Sequence, residues 1–74
     1  MIIGEVVKEV LEKRGKSVAW LALQLPCERS NVYNIFKRDN IGIDLLWKLS
    51  EILEYNFFQA LADDFQSQFV GKDK

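Results

Sequence analysis

One short segment of the chain concentrates side chains that can donate and accept hydrogen bonds. Between residues 29 and 38, apolar residues recur at helical spacing, with Val32, Ile35 and Phe36 on one face. The other positions turn partly or wholly toward solvent: Arg29, Ser30, Asn31, Tyr33, Asn34, Lys37 and Arg38. Such a face indicates recognition of a hydrogen-bonding partner. An ordinary solvated helix face carries the same residue types, so that alternative stays open.

Catalytic chemistry finds little support in the residue types present. The chain has no histidine to act as a general base, and Ser17, Ser30 and Ser50 have no activating neighbour. Cys27 is the one cysteine, so neither a disulfide framework nor a set of zinc ligands is expected. We therefore expect no enzyme activity, no cofactor, no metal site and no small-molecule substrate.

Charge is distributed unevenly along a chain of net charge −1. Residues 1–40 carry seven basic against five acidic side chains, whereas residues 41–74 carry three against six. The first half therefore favours an anionic partner.

No apolar run reaches the roughly 18 residues of a membrane span, and glutamate and lysine interrupt the N-terminal segment. We expect a cytoplasmic protein without membrane contact.

Helical periodicity and stop signals divide the first half of the chain into three helices. In the first, apolar residues share one face up to Gly15, which is placed as a C-terminal stop. Ser17 then lies where an N-cap belongs, before a second helix that must end ahead of Pro26. The third helix is expected to begin near Glu28 or Arg29.

The second half predicts two further helices and no strand. Leucines and isoleucines repeat at helical spacing through DLLWKLSEILE, and Asn56 can cap a last helix, FFQALADDFQSQFV. The predicted fold is all-α, a compact bundle of about five short helices in one domain, residues 1–70, with a frayed tail at 71–74. Three more aromatic residues are expected in the core or at its boundary: Trp20, Trp47 and Tyr55.

The stretch SVAWLALQLPCERSNVYNIF resembles the helix-turn-helix of lambda-repressor-like, Xre-type DNA-binding domains. That family has a small residue in the middle of the first helix, where Ala22 stands, because the two helices cross closely. It also has apolar residues around the turn and in the second helix, here Leu21, Leu25, Val32 and Ile35. The resemblance covers roughly residues 2–62, with the motif at 17–37, and implies a lambda-repressor-like fold.

The resemblance implies that the third helix, at about residues 29–37, lies in the major groove of double-stranded DNA while the second crosses the backbone. The implied base-reading residues are Arg29 for guanine, Asn31 or Asn34 for adenine, Ser30 for a base or phosphate, and Tyr33 for a thymine methyl or phosphate. The implied phosphate contacts are Lys16, Ser17, Lys37 and Arg38. A sequence-specific transcriptional regulator is the function to expect.

The last helix supports a second hypothesis, because a core of this size has little room for all of its aromatic residues. The candidate dimer or partner surface consists of Phe57, Phe58, Phe65 and Phe69. A homodimer formed there would place two recognition helices one turn of DNA apart, about 34 Å. The other possibility for these residues is that the core buries all of them.

The alternative function is a protein-interaction module of the same fold that docks a partner through the last helix. It is favoured by the near-neutral charge, by Val18 in place of the family's usual polar residue, and by Pro26 in place of its glycine.

Overall fold

Five α-helices make up the part of the chain that the computed structural model describes, the backbone of residues 1–72 and the side chains of residues 1–68. In chain order they are α1 (Ile3–Lys13), α2 (Val18–Gln24), α3 (Arg29–Phe36), α4 (Ile43–Leu53) and α5 (Phe57–Lys72). No β-strand occurs within residues 1–72, so the predicted all-α class is confirmed. Residues 71 and 72 of the expected tail belong to α5, and residues 73 and 74 lie outside the described part.

Local signals begin and end the helices where the sequence predicts. Ser17 Oγ accepts a hydrogen bond from Trp20 N at 3.0 Å, and Asn56 Oδ1 accepts one from Gln59 N at 2.9 Å. Each side chain therefore caps the helix that follows it. Gly15 follows α1 with a φ of 69°, a region in which a Cβ would be strained. These signals act within a few residues of chain, which is why they could be predicted.

The core forms where α1 packs on both α3 and α4, with α2 packed on α3 and α5 packed on α4. Its side chains are all apolar and at most 8% exposed: Ile3, Val7, Val10, Leu11, Leu21, Ala22, Val32, Ile35, Phe36, Leu46, Leu49, Leu53 and Phe57. Removal of this apolar surface from water is the main stabilising term. Within residues 1–72, none of the helices combines the length and apolar character that a bilayer span needs.

The start of α1 approaches the end of α3 more closely than a side chain would allow. Gly4 N donates to the carbonyl oxygen of Arg38 at 2.9 Å, and a Cβ built on Gly4 would lie 2.7 Å from the carbonyl oxygen of Phe36. Cβ atoms do not come this close to backbone atoms in a packed interior, so only glycine fits. The contact fixes the C-terminal end of α3 against α1.

Arg14 joins the end of α1 to the end of α4. Its Nε donates to the carbonyl oxygen of Leu53 at 2.9 Å and its Nη2 to that of Glu54 at 2.6 Å. The last carbonyls of a helix have no donor within it, and a cation there also interacts favourably with the helix dipole. One of the three arginines of the chain is therefore structural.

Two aromatic residues lie elsewhere than expected. The prediction that Phe57 belongs to an exposed dimer or partner surface is wrong, because Phe57 is fully buried. Phe57 points into the core, whereas Phe58, about 100° further round the helix, packs at the edge of the core and is half-buried. Trp47, expected in the core or at its boundary, is 60% exposed, because α4 buries its neighbours Leu46 and Leu49 instead.

Candidate nucleic-acid interface

A tight turn joins α2 to α3 around Pro26. Proline lacks an N–H and disfavours helical geometry at the residue before it, and α2 accordingly ends at Gln24. The turn is closed by Cys27 N, which donates to the carbonyl oxygen of Ala22 at 2.9 Å, a bond typical of helix C-termini. Ala22 itself is buried. The bond and the small side chain together fix where α3 begins, at Arg29.

One face of α3 is buried and the other is open. The buried side chains are those of Val32, Ile35 and Phe36. At about 100° per residue, Ser30 and Asn34 lie opposite this face, with Arg29 on one flank and Asn31 on the other. All five predicted base-reading residues are exposed: Arg29, Ser30, Asn31, Tyr33 and Asn34. The described part of the chain therefore leaves this face accessible to a partner.

Tyr33 is held at the edge of the open face by ring packing. Its ring centroid lies 6.1 Å from that of Phe36 with the planes at 89°, an edge-to-face arrangement. The side chain remains 52% exposed. Because the ring is already supported, it loses less conformational freedom on meeting a partner than an unsupported side chain would.

A groove of about 340 Å³ separates α3 from α4. Asn31, Asn34 and Arg38 line one side of it, and Lys48 of α4 lines the other. Lys48 is not among the residues predicted from the sequence, although it is the only basic residue between positions 39 and 71. Helical periodicity places Lys48 outside the apolar face of α4. It does not determine that this side of α4 lies next to α3.

The residues before α2 already have partners inside the molecule. Lys16 Nζ lies 5.1 Å from the ring centroid of Trp20, a cation–π contact. Ser17 Oγ accepts the capping bond from Trp20 N, and its hydroxyl hydrogen is still able to donate to an oxygen. Both side chains are exposed. They are thus held in place at the start of α2 without being covered.

Basic residues also follow α3. Lys37 and Arg38 are exposed, while the backbone of Arg38 is bonded to Gly4. Exposed Glu28 and Asp39 lie in the same region and reduce its positive charge. Counted over residues 16–48, five basic side chains face three acidic ones. The region is therefore moderately cationic, although the chain as a whole is not.

The four phenylalanines of the predicted partner surface do not share one environment. Phe57 belongs to the core, as described above, and Phe58 is half-buried beside Trp47. Phe65 is 66% exposed, so this predicted surface residue does lie at the surface. The side chain of Phe69, the fourth residue of the predicted partner surface, lies outside the described residues.

Among the described residues, no group of three or more histidine, cysteine or acidic side chains is arranged to hold a metal ion. The open face of α3 offers hydrogen-bond donors and acceptors, and its neighbours offer cations. This arrangement is suited to binding an anionic, hydrogen-bonding surface. Neither a family model, nor a curated protein, nor a solved structure matches the chain.

Proposed function

We propose that this chain is a sequence-specific DNA-binding protein with a lambda-repressor-like, Xre-type fold, and that α3 enters the major groove of double-stranded DNA. The supporting observation is the construction of α3, anchored by three buried apolar residues and open on the opposite face. A helix about 10–12 Å across fits a major groove about 12 Å wide. The eight residues of α3 would extend over about 12 Å of that groove.

Base reading is assigned to the exposed polar residues of α3. Ser30 and Asn34, opposite the buried face, would lie deepest in the groove, where Asn34 can make a bidentate pair with adenine. Arg29 and Asn31 would reach bases on the two flanks, with Arg29 directed to guanine. Tyr33 would meet a thymine methyl group or a phosphate at the edge. Each good bidentate pair discriminates by about 1–3 kcal/mol.

Phosphate contacts are assigned to residues around α3 that carry no sequence information. Lys16 and Ser17 would contact one stretch of backbone, and Lys37 and Arg38 another. We add Lys48, which shares a groove with Asn31 and Asn34. Each phosphate that these cations neutralise releases counterions, so affinity should fall as salt rises.

We infer a regulatory role because the proposed activity is sequence-specific DNA binding without catalysis. In this proposal the protein is a cytoplasmic transcriptional regulator with no enzyme activity, cofactor, small-molecule substrate or membrane contact. A homodimer would read a site of matching two-fold symmetry, with half-sites about 34 Å apart. The exposed Leu61 and Phe65 of α5 are candidates for the contact between copies.

The first experiment measures affinity for random-sequence duplex DNA as a function of salt. With four or five phosphate contacts, log K should fall against log salt with a slope of about −4. Lys37→Ala should weaken binding to all sequences alike and reduce that slope by about 1, whereas Lys8→Ala, the same charge change on an exposed site of α1, should not. Protein that is folded by circular dichroism yet shows no affinity at low salt would contradict the proposal.

The exposed apolar residues of α5 favour a second function, a protein-interaction module of the same fold. Phe65 is 66% exposed and Leu61 is 37% exposed, an arrangement common at partner surfaces. Light scattering at micromolar concentration separates this function from the dimeric regulator. A dimer that also binds DNA supports the first proposal, and a monomer without affinity for DNA supports the second.

A further inference from the structure

A groove between the C-terminal half of α4 and the start of α5 is walled by aromatic rings. It is widely open to solvent, has a volume of about 370 Å³ and is lined by Trp47, Ser50, Glu51, Tyr55, Asn56 and Phe58. The rings of Trp47 and Phe58 lie 5.9 Å apart with 61° between their planes, so they form two inclined walls. None of the lining residues belongs to α2 or α3, and Lys48 is not among them, so the groove shares no residue with the proposed DNA surface.

Two polar groups of the groove already form hydrogen bonds within the fold. The hydroxyl of Ser50 donates to the carbonyl oxygen of Leu46 at 2.9 Å, and Asn56 Oδ1 caps α5. The carboxylate of Glu51 is exposed, and within residues 1–68 it takes part in no ion pair. The groove thus offers a partner three aromatic rings and one negative charge, together with the hydroxyl of Tyr55 and the side-chain N–H groups of Asn56.

This combination is complementary to a cation. The faces of aromatic rings attract positive charge, and a carboxylate at the rim adds an opposite charge. No lysine or arginine lines the groove, and residues 41–74 have six acidic against three basic side chains. The other tryptophan shows the pairing within the molecule itself, because Lys16 Nζ lies 5.1 Å from the centroid of Trp20.

We propose that the groove binds an arginine side chain of a partner polypeptide, with the guanidinium stacked on Trp47 and bonded to Glu51. Arginine fits better than lysine because its planar, weakly hydrated head stacks on rings and offers paired donors to a carboxylate. The proposal does not depend on DNA binding, since none of the residues assigned to DNA lines this groove.

The test is an NMR titration of the full chain with acetyl-Gly-Arg-Gly-amide at constant ionic strength, following the two tryptophan indole N–H signals. The matched probe replaces arginine by citrulline, which has nearly the same shape but no charge. The Trp47 signal should shift and reach saturation as the arginine peptide is added. The affinity for the citrulline peptide should be at least about tenfold lower. The Trp20 signal should not move with either peptide.

Two variants attribute the binding to the groove. Glu51→Gln should lower the affinity for the arginine peptide about three- to tenfold. Glu12→Gln, the same change at an exposed site of α1, should leave that affinity unchanged. Equal responses to arginine and citrulline, or equal effects of the two variants, would overturn the proposal. A Trp47 signal that follows protein concentration instead of peptide would also overturn it, by assigning the groove to contacts between copies.

Discussion

The open face of α3 and the exposed surface of α4 and α5 differ in the side chains that they expose and in the number of helices that pack against them. α3 packs on two helices, α1 and α2, and exposes amides, hydroxyls and cations. α5 has its main contacts with α4 alone, and around their junction aromatic rings and a carboxylate are exposed. A helix that reads a rigid pattern of donors and acceptors needs a fixed position, whereas an apolar surface tolerates adjustment. The comparison predicts that the two surfaces respond differently to substitution.

The largest effect is expected at the point where α5 joins the core. Phe57→Ala should lower the free energy of unfolding by about 3–5 kcal/mol, because it removes a fully buried ring. Phe65→Ala on the same helix should change it by less than about 0.5 kcal/mol, since that ring is largely exposed. Urea denaturation followed by circular dichroism measures both. Similar losses for the two variants would mean that the exposed and buried faces of α5 are assigned incorrectly.

The next effect tests how α3 is held. Gly4→Ala should cost about 3 kcal/mol, because the new methyl group would collide with the backbone of α3. Alanine is otherwise the better helix former by about 1 kcal/mol, so the sign of the change is decisive. Gly42→Ala, where nothing lies within 4 Å of the added Cβ, should cost less than about 1 kcal/mol. A stabilised Gly4→Ala variant would show that α1 and α3 do not approach so closely.

A smaller loss of stability is expected where the end of α1 is joined to the end of α4. Arg14→Met should destabilise the protein by about 1.5 kcal/mol, since two carbonyls at the end of α4 lose their charged donor. Lys13→Met, a loss of the same charge on the neighbouring residue, serves as the control and should have little effect. Thermal unfolding of the two variants checks this. Equal stability of the Arg14→Met and Lys13→Met variants would show that Arg14 does not stabilise the junction of α1 and α4.

The smallest effect lies at the start of α2. Ser17→Ala should cost about 1 kcal/mol, because the first turn loses its cap. Ser30→Ala, on the open face of α3, should leave stability nearly unchanged and act on DNA affinity instead. Denaturation and DNA binding measured on both variants separate the structural serine from the proposed reading serine. A Ser30→Ala variant as unstable as Ser17→Ala would contradict this division.

The helix boundaries could be predicted because their causes are local. Gly15, Ser17, Pro26 and Asn56 each act on the backbone within a few residues, so the sequence around them is sufficient. The exposed face of α3 could be predicted for a similar reason, since helical periodicity alone separates its apolar and polar positions.

The contacts that could not be predicted join distant parts of the chain. Gly4 meets a carbonyl 34 residues away, and Arg14 meets carbonyls 39 and 40 residues away. The choice of Phe57 over Phe58 for the core depends on where α5 docks on α4, which periodicity does not determine. The position of Lys48 beside α3 could not be predicted for the same reason, because the side of α4 that faces α3 is a property of packing.

The central claim, that the open face of α3 reads DNA, is tested most directly by in vitro selection of bound duplexes from a random pool. The wild-type chain should enrich one sequence. Arg29→Ala should relax the preference at a single base pair while the remaining positions are retained. Folded wild-type protein that enriches no sequence at low salt, or an Arg29→Ala variant that selects the same sequence with the same preference, would contradict it.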